Sequence, residues 1–189
     1  MRIDILSLFP NYFTSPFSET IVKRAKESGL VEINTINIRD FATGKHKCVD
    51  DRPYGGGPGM VMLVEPLVKA IRSVKKEGSR LIYLSPQGEK LSSSLAQDLS
   101  GDEHLIFVCG HYEGLDERVM ILEPGLELSI GDYILTNGCV AACVAVDAII
   151  RFIPGVLGNP ESPLSDSFSE EIFDCPHYTR PQTFEGQSV

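Results

Sequence analysis

The distribution of hydrophobic and polar residues along the chain predicts strands that alternate with helices. Residues 31–38 alternate apolar and polar side chains, which predicts a strand with one wet face. Residues 105–109 are continuously apolar, as in a strand covered on both faces. The predicted strands span residues 2–9, 31–38, 80–85, 104–109 and 132–136.

Three segments between these strands carry helical signals. Residues 65–78 place four apolar side chains at the spacing of a buried helical stripe, namely Leu67, Ala70, Ile71 and Val74. Residues 15–29 carry basic residues before a terminal glycine, as helix ends often do. Residues 140–153 are almost wholly apolar and stop at Pro154, which predicts a helix buried in a core or an interface. The alternation predicts an α/β fold with a largely parallel sheet.

Composition narrows the class of protein. The 189 residues are 42% hydrophobic and 23% charged, which is ordinary for one soluble globular domain. A formal net charge of −9 argues against a generic binder of phosphate backbones. The candidate basic patch consists of Arg39, Lys45, His46, Lys47 and Arg52. Acidic neighbours dilute it, so a solvated loop of mixed charge is an equal alternative.

The cysteines, histidines and termini give further expectations. Five cysteines without a CxxC pair are typical of reduced cytosolic thiols, and Cys109 and Cys143 are interpreted as core residues. Four scattered histidines predict no metal site. The N-terminus lacks a signal peptide, and the longest apolar run contains Asp147 and Arg151 and is too short to cross a bilayer. A cytoplasmic protein without a membrane partner is expected.

Glycine-bearing loops follow three of the predicted strands, with the sequences YLSPQG, VCGHYEG and SIGDYILTNG. The carboxyl ends of parallel strands meet at one edge of a sheet, where ligands bind. We therefore expect a small-molecule site built mostly from backbone. The common phosphate loops are absent, because no GxGxxG follows a strand and YGGGPGM lacks the GK[ST] ending of a P-loop.

Two late residues are candidates for acid–base chemistry. Arg151 closes an apolar helix, where an arginine needs a partner or a task. Asp166 is either a general base or a helix cap. Its neighbour Ser165 is the alternative cap.

Six motifs in register then resemble those of the bacterial tRNA (guanine-N1-)-methyltransferases of the SPOUT superfamily: DDRPYGGGPGM, IYLSPQG, VCGHYEGLDERV, SIGDYILTNG, RFIPGVLG and DCPHYTRP. The resemblance implies a homodimer of α/β subunits with a largely parallel sheet and a deep C-terminal trefoil knot. It implies a knotted catalytic domain at 1–160, and at 161–189 a linker with the catalytic aspartate and the start of a tRNA-binding region. Relatives continue past this chain's last residue, so we expect the remainder of that region to be absent here.

The same resemblance implies roles for individual residues. The family transfers a methyl group from S-adenosylmethionine to N1 of the guanosine immediately 3′ of the tRNA anticodon, with Asp166 as base and Arg151 stabilising the guanine O6. Magnesium is a possible additional ion that the sequence does not decide. The implied cofactor residues are Tyr83, Leu84, Ser85, Pro86, Gln87, Gly110, Glu113, Ile130, Gly131, Asp132, Tyr133, Ile134, Leu135 and Gly138. Arg52, Tyr54, Pro58 and Gly59 are interpreted as substrate-positioning residues.

The chain also departs from the family pattern. NGCVAAC at residues 137–143 replaces the usual GGELPAM, and His111 stands where many relatives carry arginine. His111 is interpreted as an ordinary loop residue or as an altered contact. A catalytically weak or silent RNA-binding module with the same fold is the alternative function. A SPOUT enzyme with another RNA target is disfavoured by the first and last motifs.

Overall fold

A computed structural model of the chain describes residues 1–159, 167 and 175–189. The strands are β1 (Arg2–Ser7), β2 (Glu32–Asn37), β3 (Asp50–Asp51), β4 (Val61–Met62), β5 (Arg80–Lys90), β6 (His104–Cys109), β7 (Leu126–Ser129), β8 (Thr183–Phe184) and β9 (Gln187–Ser188). The α-helices are α1 (Thr20–Glu27), α2 (Val64–Val74), α3 (Ser93–Ser100), α4 (Arg118–Leu122) and α5 (Cys139–Ile150). Asp166, the candidate base, lies outside the described residues.

The described part of the chain forms a five-stranded sheet in the order β2-β1-β6-β5-β7. Every pairing in it is parallel, which confirms the predicted α/β fold with a largely parallel sheet. The central strand β6 is buried at every position, as its apolar sequence predicted. The parallel arrangement brings the carboxyl ends of all five strands to one edge.

Helices cover both faces of the sheet. Ile3 and Ile5 of β1 pack with Phe107 into a cluster that includes α1, α3 and α5. Leu6, on the other face of β1, packs with α2 and α4. Helix α5 has an apolar surface on nearly all sides, and it buries seven of its twelve residues. The predicted helix at 140–153 is thereby confirmed as a core element, with its start one residue earlier and its end at Ile150.

The strand predicted at residues 132–136 is wrong. This segment forms bends, and the sheet's edge strand is instead β7, which the sequence did not predict. The apolar side chains of Tyr133 and Ile134 are more than half exposed, so they do not pack as a strand in a core would. Tyr and Ile favour strands, but a strand forms only where a partner strand is available to pair with it, and this segment has none in the described sheet.

Two helical regions also differ from expectation. The helix predicted at 15–29 is limited to α1, because Pro16 begins a separate 3₁₀ turn over Pro16–Ser18. Helix α3 was not predicted. It begins after Ser92, whose side chain accepts a hydrogen bond from the Leu95 amide at 3.1 Å.

The amino ends of the central strands hold a buried polar network. Asp4 is completely buried and accepts hydrogen bonds from Arg2 and Asn34, at 3.0 Å each. The His104 ring joins Asp4 and Ser79 through its two nitrogens, at 2.9 and 2.7 Å. Every polar group named here has a partner, so burial of this network leaves none of them unsatisfied.

Glu123 joins α2 to the segment before β7. Its buried carboxylate accepts bonds from Arg72 at 2.6 Å and Lys75 at 2.7 Å. Burial alone raises the pKa of Glu123, but the bonds from Lys75 and Arg72 outweigh it and lower that pKa below its ordinary value. A lowered folded-state pKa stabilises the fold above the unfolded pKa, and this contribution disappears as pH falls through the folded value.

Replacing Glu123 by glutamine should therefore destabilise the protein in a pH-dependent way. We expect a loss of about 1–2 kcal/mol in the free energy of unfolding at neutral pH, shrinking below roughly pH 4. Urea unfolding of both proteins at pH 7 and at low pH measures this. Glu65→Gln is the control, because Glu65 makes an exposed pair with Lys69 that contributes at most about 0.5 kcal/mol. If the loss in free energy of unfolding caused by Glu123→Gln is the same at pH 7 and at low pH, the Glu123 carboxylate does not stabilise the fold through its charge.

Candidate active site

A cavity of about 400 Å³ lies where β6 and β7 end and where the middle of β5 bulges out of the sheet. We call it the strand-end cavity. Its wall consists of three loops and the start of α5: Leu84, Ser85, Pro86, Gly110, His111, Tyr112, Glu113, Gly114, Leu128, Ser129, Ile130, Gly131, Tyr133, Ile134, Leu135, Thr136, Asn137, Gly138 and Ala141. These loops contain the three glycine-bearing stretches noted in the sequence, but the third follows β7 and not a predicted strand.

The first loop is an outward bulge of β5. Leu84 and Glu89 both pair with Leu128, so the residues between them leave the regular ladder and place Ser85 and Pro86 in the cavity wall. Gly88 makes this return possible. A Cβ there would overlap the backbone of Glu127 and Leu128, so the two strands could not approach as closely with any other residue.

The second loop is fastened to the segment at residues 50–60. The Glu113 amide donates to the Met60 carbonyl at 3.0 Å, and the Met62 amide donates to the Gly114 carbonyl at 2.9 Å. Gly59, with φ at +76°, leaves space that the Glu113 side chain fills. The end of the glycine-rich segment thus contacts the cavity wall at Glu113 and Gly114.

The third loop is held by its own turns and by β6. The Ser129 hydroxyl bonds with Gly131 through both backbone groups, at 3.1 and 3.2 Å. The Gly138 amide donates to the Gly110 carbonyl at 2.9 Å, which ties the start of α5 to the second loop. Backbone groups therefore set the shape of the cavity.

The structure brings most of the predicted cofactor residues together in this wall. Those present are Leu84, Ser85, Pro86, Gly110, Glu113, Ile130, Gly131, Tyr133, Ile134, Leu135 and Gly138. Tyr83 lies outside it, buried in the core, where its hydroxyl donates to the Glu123 carbonyl at 2.6 Å. Burial and the nearby Glu123 raise the pKa of Tyr83. Gln87 and Asp132 also lie outside the wall, and Asp132 pairs with Lys90 at 2.5 Å.

Several wall residues were not predicted: His111, Tyr112, Gly114, Leu128, Ser129, Thr136, Asn137 and Ala141. Most lie inside the motifs that drew attention to the loops. The sequence signal that could have identified them as wall residues was their position next to a predicted residue. Leu128 belongs to the strand that the sequence did not predict.

The predicted substrate-positioning residues do not line the strand-end cavity. Strands β3 and β4 pair antiparallel and close the segment between them into a hairpin loop. Arg52, Tyr54 and Pro58 are exposed on that loop, and Gly59 contacts Glu113. The loop is a surface beside the cavity.

Arg151 lies at a different opening. It is the first residue after α5 and lines a cleft of about 590 Å³, together with Asp147 and Ser167. We call this the α5 cleft. The twelve residues of α5 rise by about 18 Å, so Arg151 lies far from the Gly138 end of the helix.

Three cysteines meet beneath the second and third loops. Cys109 is buried, as predicted, and burial raises its pKa. A hydrogen bond with Cys109 lowers the pKa of Cys139 to about 7, against burial and with help from Ser7 at 3.3 Å. Cys143 is partly buried against the same core. Within the described ranges, no group of three or more His, Cys, Asp or Glu side chains is arranged to hold a metal ion.

Each helix in the described part of the chain is too short or too polar to span a membrane.

Comparisons with known proteins agree on one family. The family described as tRNA (Guanine-1)-methyltransferase TrmD has a sequence model that matches residues 1–189. The chain is similar to a tRNA (guanine-N(1)-)-methyltransferase of Protochlamydia amoebophila, with 56% identity over the whole chain and 85% of that protein. Its identity to the enzyme of that name from Carboxydothermus hydrogenoformans is 55%, over the whole chain and 75% of that protein. For the one from Chlamydia muridarum it is 57%, over the whole chain and 53% of that protein. The chain therefore belongs to the tRNA (guanine-1)-methyltransferase family of enzymes.

Proposed function

We propose that the chain transfers a methyl group from S-adenosylmethionine to N1 of the guanosine immediately 3′ of the tRNA anticodon. As a member of its family, it is an enzyme that methylates N1 of guanine in tRNA. The observation that carries the finer proposal is the strand-end cavity, because three loops separated in sequence converge on it.

The wall of this cavity fits S-adenosylmethionine. A volume of about 400 Å³ lies within the usual range for small-molecule sites. Backbone edges and apolar side chains of the first and third loops suit adenine, and the Glu113 carboxylate suits a cationic group. S-adenosylmethionine supplies an activated methyl group when bound. The chain orients that donor and shields it from water.

The acceptor nitrogen needs a base. Guanine N1 carries a proton, so it is a poor nucleophile until that proton is removed. Asp166 removes it, and the negative charge that develops on O6 is stabilised by the Arg151 guanidinium. Mutation of Asp166 can distinguish the role of general base from the alternative role of helix cap.

We also propose that the active form is a homodimer. Helix α5 and the residue that follows it present an exposed stripe at i, i+4, i+7 and i+11, formed by Val140, Val144, Asp147 and Arg151. Arg151 lies about one helix length from Gly138, so it cannot reach a target guanine bound at the strand-end cavity of the same subunit. A second subunit docked on the stripe would bring the strand-end cavity of one subunit close to Arg151 of the other.

Replacing Val144 by aspartate should weaken dimerisation by about 10-fold or more, because a charge would be buried without a partner. Sedimentation velocity over a range of concentrations measures the dissociation constant. Ile121→Asp is the control, since Ile121 is an exposed apolar residue on α4, away from the stripe. Equal dissociation constants for both variants and the unmodified chain would refute the stripe as the interface.

Residues 1–160 are proposed to form the knotted catalytic domain of a SPOUT-type fold, and 161–189 a linker with the catalytic aspartate and the start of the tRNA-binding region. The bond between Gly138 and Gly110 supports close passage of the third loop past the second, as a knot requires. We propose the cytoplasm as the place of action.

The direct test supplies labelled S-adenosylmethionine and unmodified tRNA with guanosine beside its anticodon. Nucleoside analysis should place the label in 1-methylguanosine. Parallel reactions with and without magnesium decide whether that ion takes part. Cofactor binding without transfer would favour the silent RNA-binding module, and label at another nucleoside would contradict the proposed target.

A further inference from the structure

His111 is an unusual member of the strand-end cavity wall. Its Nδ1 atom is buried and lacks a hydrogen-bond partner, and it is the only such side-chain nitrogen or oxygen among the residues that the structure describes. His104 provides the contrast, because both of its ring nitrogens have partners. A buried polar atom without a partner disfavours the observed arrangement unless a ligand or a ring turn satisfies it.

Two aromatic rings limit how the imidazole can move. The Phe9 ring lies 5.1 Å from the His111 ring, between centroids, and the Tyr112 ring lies 4.6 Å away, edge to face. A half-turn about the Cβ–Cγ bond keeps the imidazole in the same plane between these neighbours. It exchanges Nδ1 with Cδ2, which brings the polar edge from the buried side to the opposite side of the ring.

The position of His111 indicates which part of a ligand it meets. Its ring packs against Phe9, which follows β1, and β1 lies on the opposite side of β6 from β5 and β7. The adenine-fitting loops are the bulge of β5 and the segment after β7, so the strand order indicates that His111 and Glu113, which follow β6, lie toward the other end of the cavity. A carboxylate and an imidazole N–H together match an ammonium and a carboxylate, the two charged groups of an amino acid.

We propose that His111 donates a hydrogen bond from Nδ1 to the α-carboxylate of S-adenosylmethionine, after a half-turn of the ring, while Glu113 accepts from the α-ammonium group. This proposal rests on the proposed function, since it takes the strand-end cavity as the cofactor site. It makes His111 a positioning residue for the methyl donor.

Isothermal titration with two stable nucleosides tests the proposal. S-adenosylhomocysteine carries the amino-acid end, and 5′-methylthioadenosine lacks it while sharing the adenine, ribose and thioether. His111→Phe keeps an aromatic ring between Phe9 and Tyr112 but removes the donor. We expect it to weaken S-adenosylhomocysteine binding by about 10-fold and to change 5′-methylthioadenosine binding less than about twofold.

His111→Asn is the rescue variant, because its amide nitrogen can occupy nearly the position of Nδ1. It should recover most of the lost affinity for S-adenosylhomocysteine. An analogue that lacks only the carboxylate completes a thermodynamic cycle, and His111→Phe should not weaken its binding further.

Other results would overturn the proposal. An unchanged dissociation constant for S-adenosylhomocysteine in His111→Phe, with or without a lower kcat/KM for tRNA, excludes the carboxylate contact. Equal weakening of both nucleosides would mean that His111 acts by packing alone. If the unmodified chain binds neither nucleoside, the proposed cofactor site itself is wrong, which separates that failure from the failure of the His111 contact.

Discussion

Replacing Asp166 by asparagine is expected to lower kcat by about 10²–10⁴-fold and to leave the affinity for S-adenosylmethionine unchanged. Asparagine cannot take the N1 proton of guanine, so it removes the proposed base while keeping nearly the same side-chain shape. Single-turnover methylation of tRNA and equilibrium binding of the cofactor measure the two quantities.

Asparagine also separates the two interpretations of this position, because it caps helices about as well as aspartate does. If Asp166 is merely a cap, the variant should methylate tRNA at a near-normal rate. Ser165→Ala is the matched control, since it removes the neighbouring candidate cap and leaves the carboxylate in place. A large loss of turnover in Ser165→Ala, equal to that of Asp166→Asn, would contradict the role of base.

Replacing Gly88 by alanine is expected to destabilise the fold by about 2–3 kcal/mol, because the new Cβ would overlap the backbone of Glu127 and Leu128. For a chain of this size that lowers Tm by about 4–12 °C. The first loop returns to the sheet at this residue, so the strand-end cavity should lose affinity for S-adenosylhomocysteine as well. Calorimetric unfolding and isothermal titration measure these effects.

Gly158→Ala is the control for this change. A Cβ at Gly158 would meet no atom within 4 Å, so Tm and affinity should match those of the unmodified chain. If Gly88→Ala unfolds at the same temperature as Gly158→Ala, the close approach of β5 to β7 does not set the shape of the first loop.

The elements that the sequence predicted well are those whose pattern reflects burial in the final fold. Strand β6 is continuously apolar and is covered on both faces, and α5 is apolar on nearly all sides and lies in the core. Strand β7 has only four residues, with polar and apolar positions mixed. Strand β7 forms because it pairs with β5 on both sides of the bulge, and the sequence pattern of β7 alone does not predict that pairing.

Some features of the candidate site could likewise be predicted from the sequence, and others could not. Glycines after the apolar segments at 80–85 and 104–109 predicted two of the loops that form the strand-end cavity, whereas the third loop follows β7 and not the strand predicted at 132–136. The unpaired Nδ1 of His111 could not be predicted, because it depends on which atoms surround the ring. The separation of Arg151 from the cavity follows from the direction of α5.

The sequence by itself determined the class of fold, the family and the glycine-bearing segments that line the strand-end cavity, because these depend on local periodicity and on motifs whose residues are neighbours in the chain. Only the tertiary structure decided that Gly88 meets the Glu127–Leu128 backbone, that Glu113 rests against Gly59, and that Arg151 opens onto a different cleft. Those relations join residues far apart in sequence. They depend on how strands pair and helices pack, which a linear pattern does not encode.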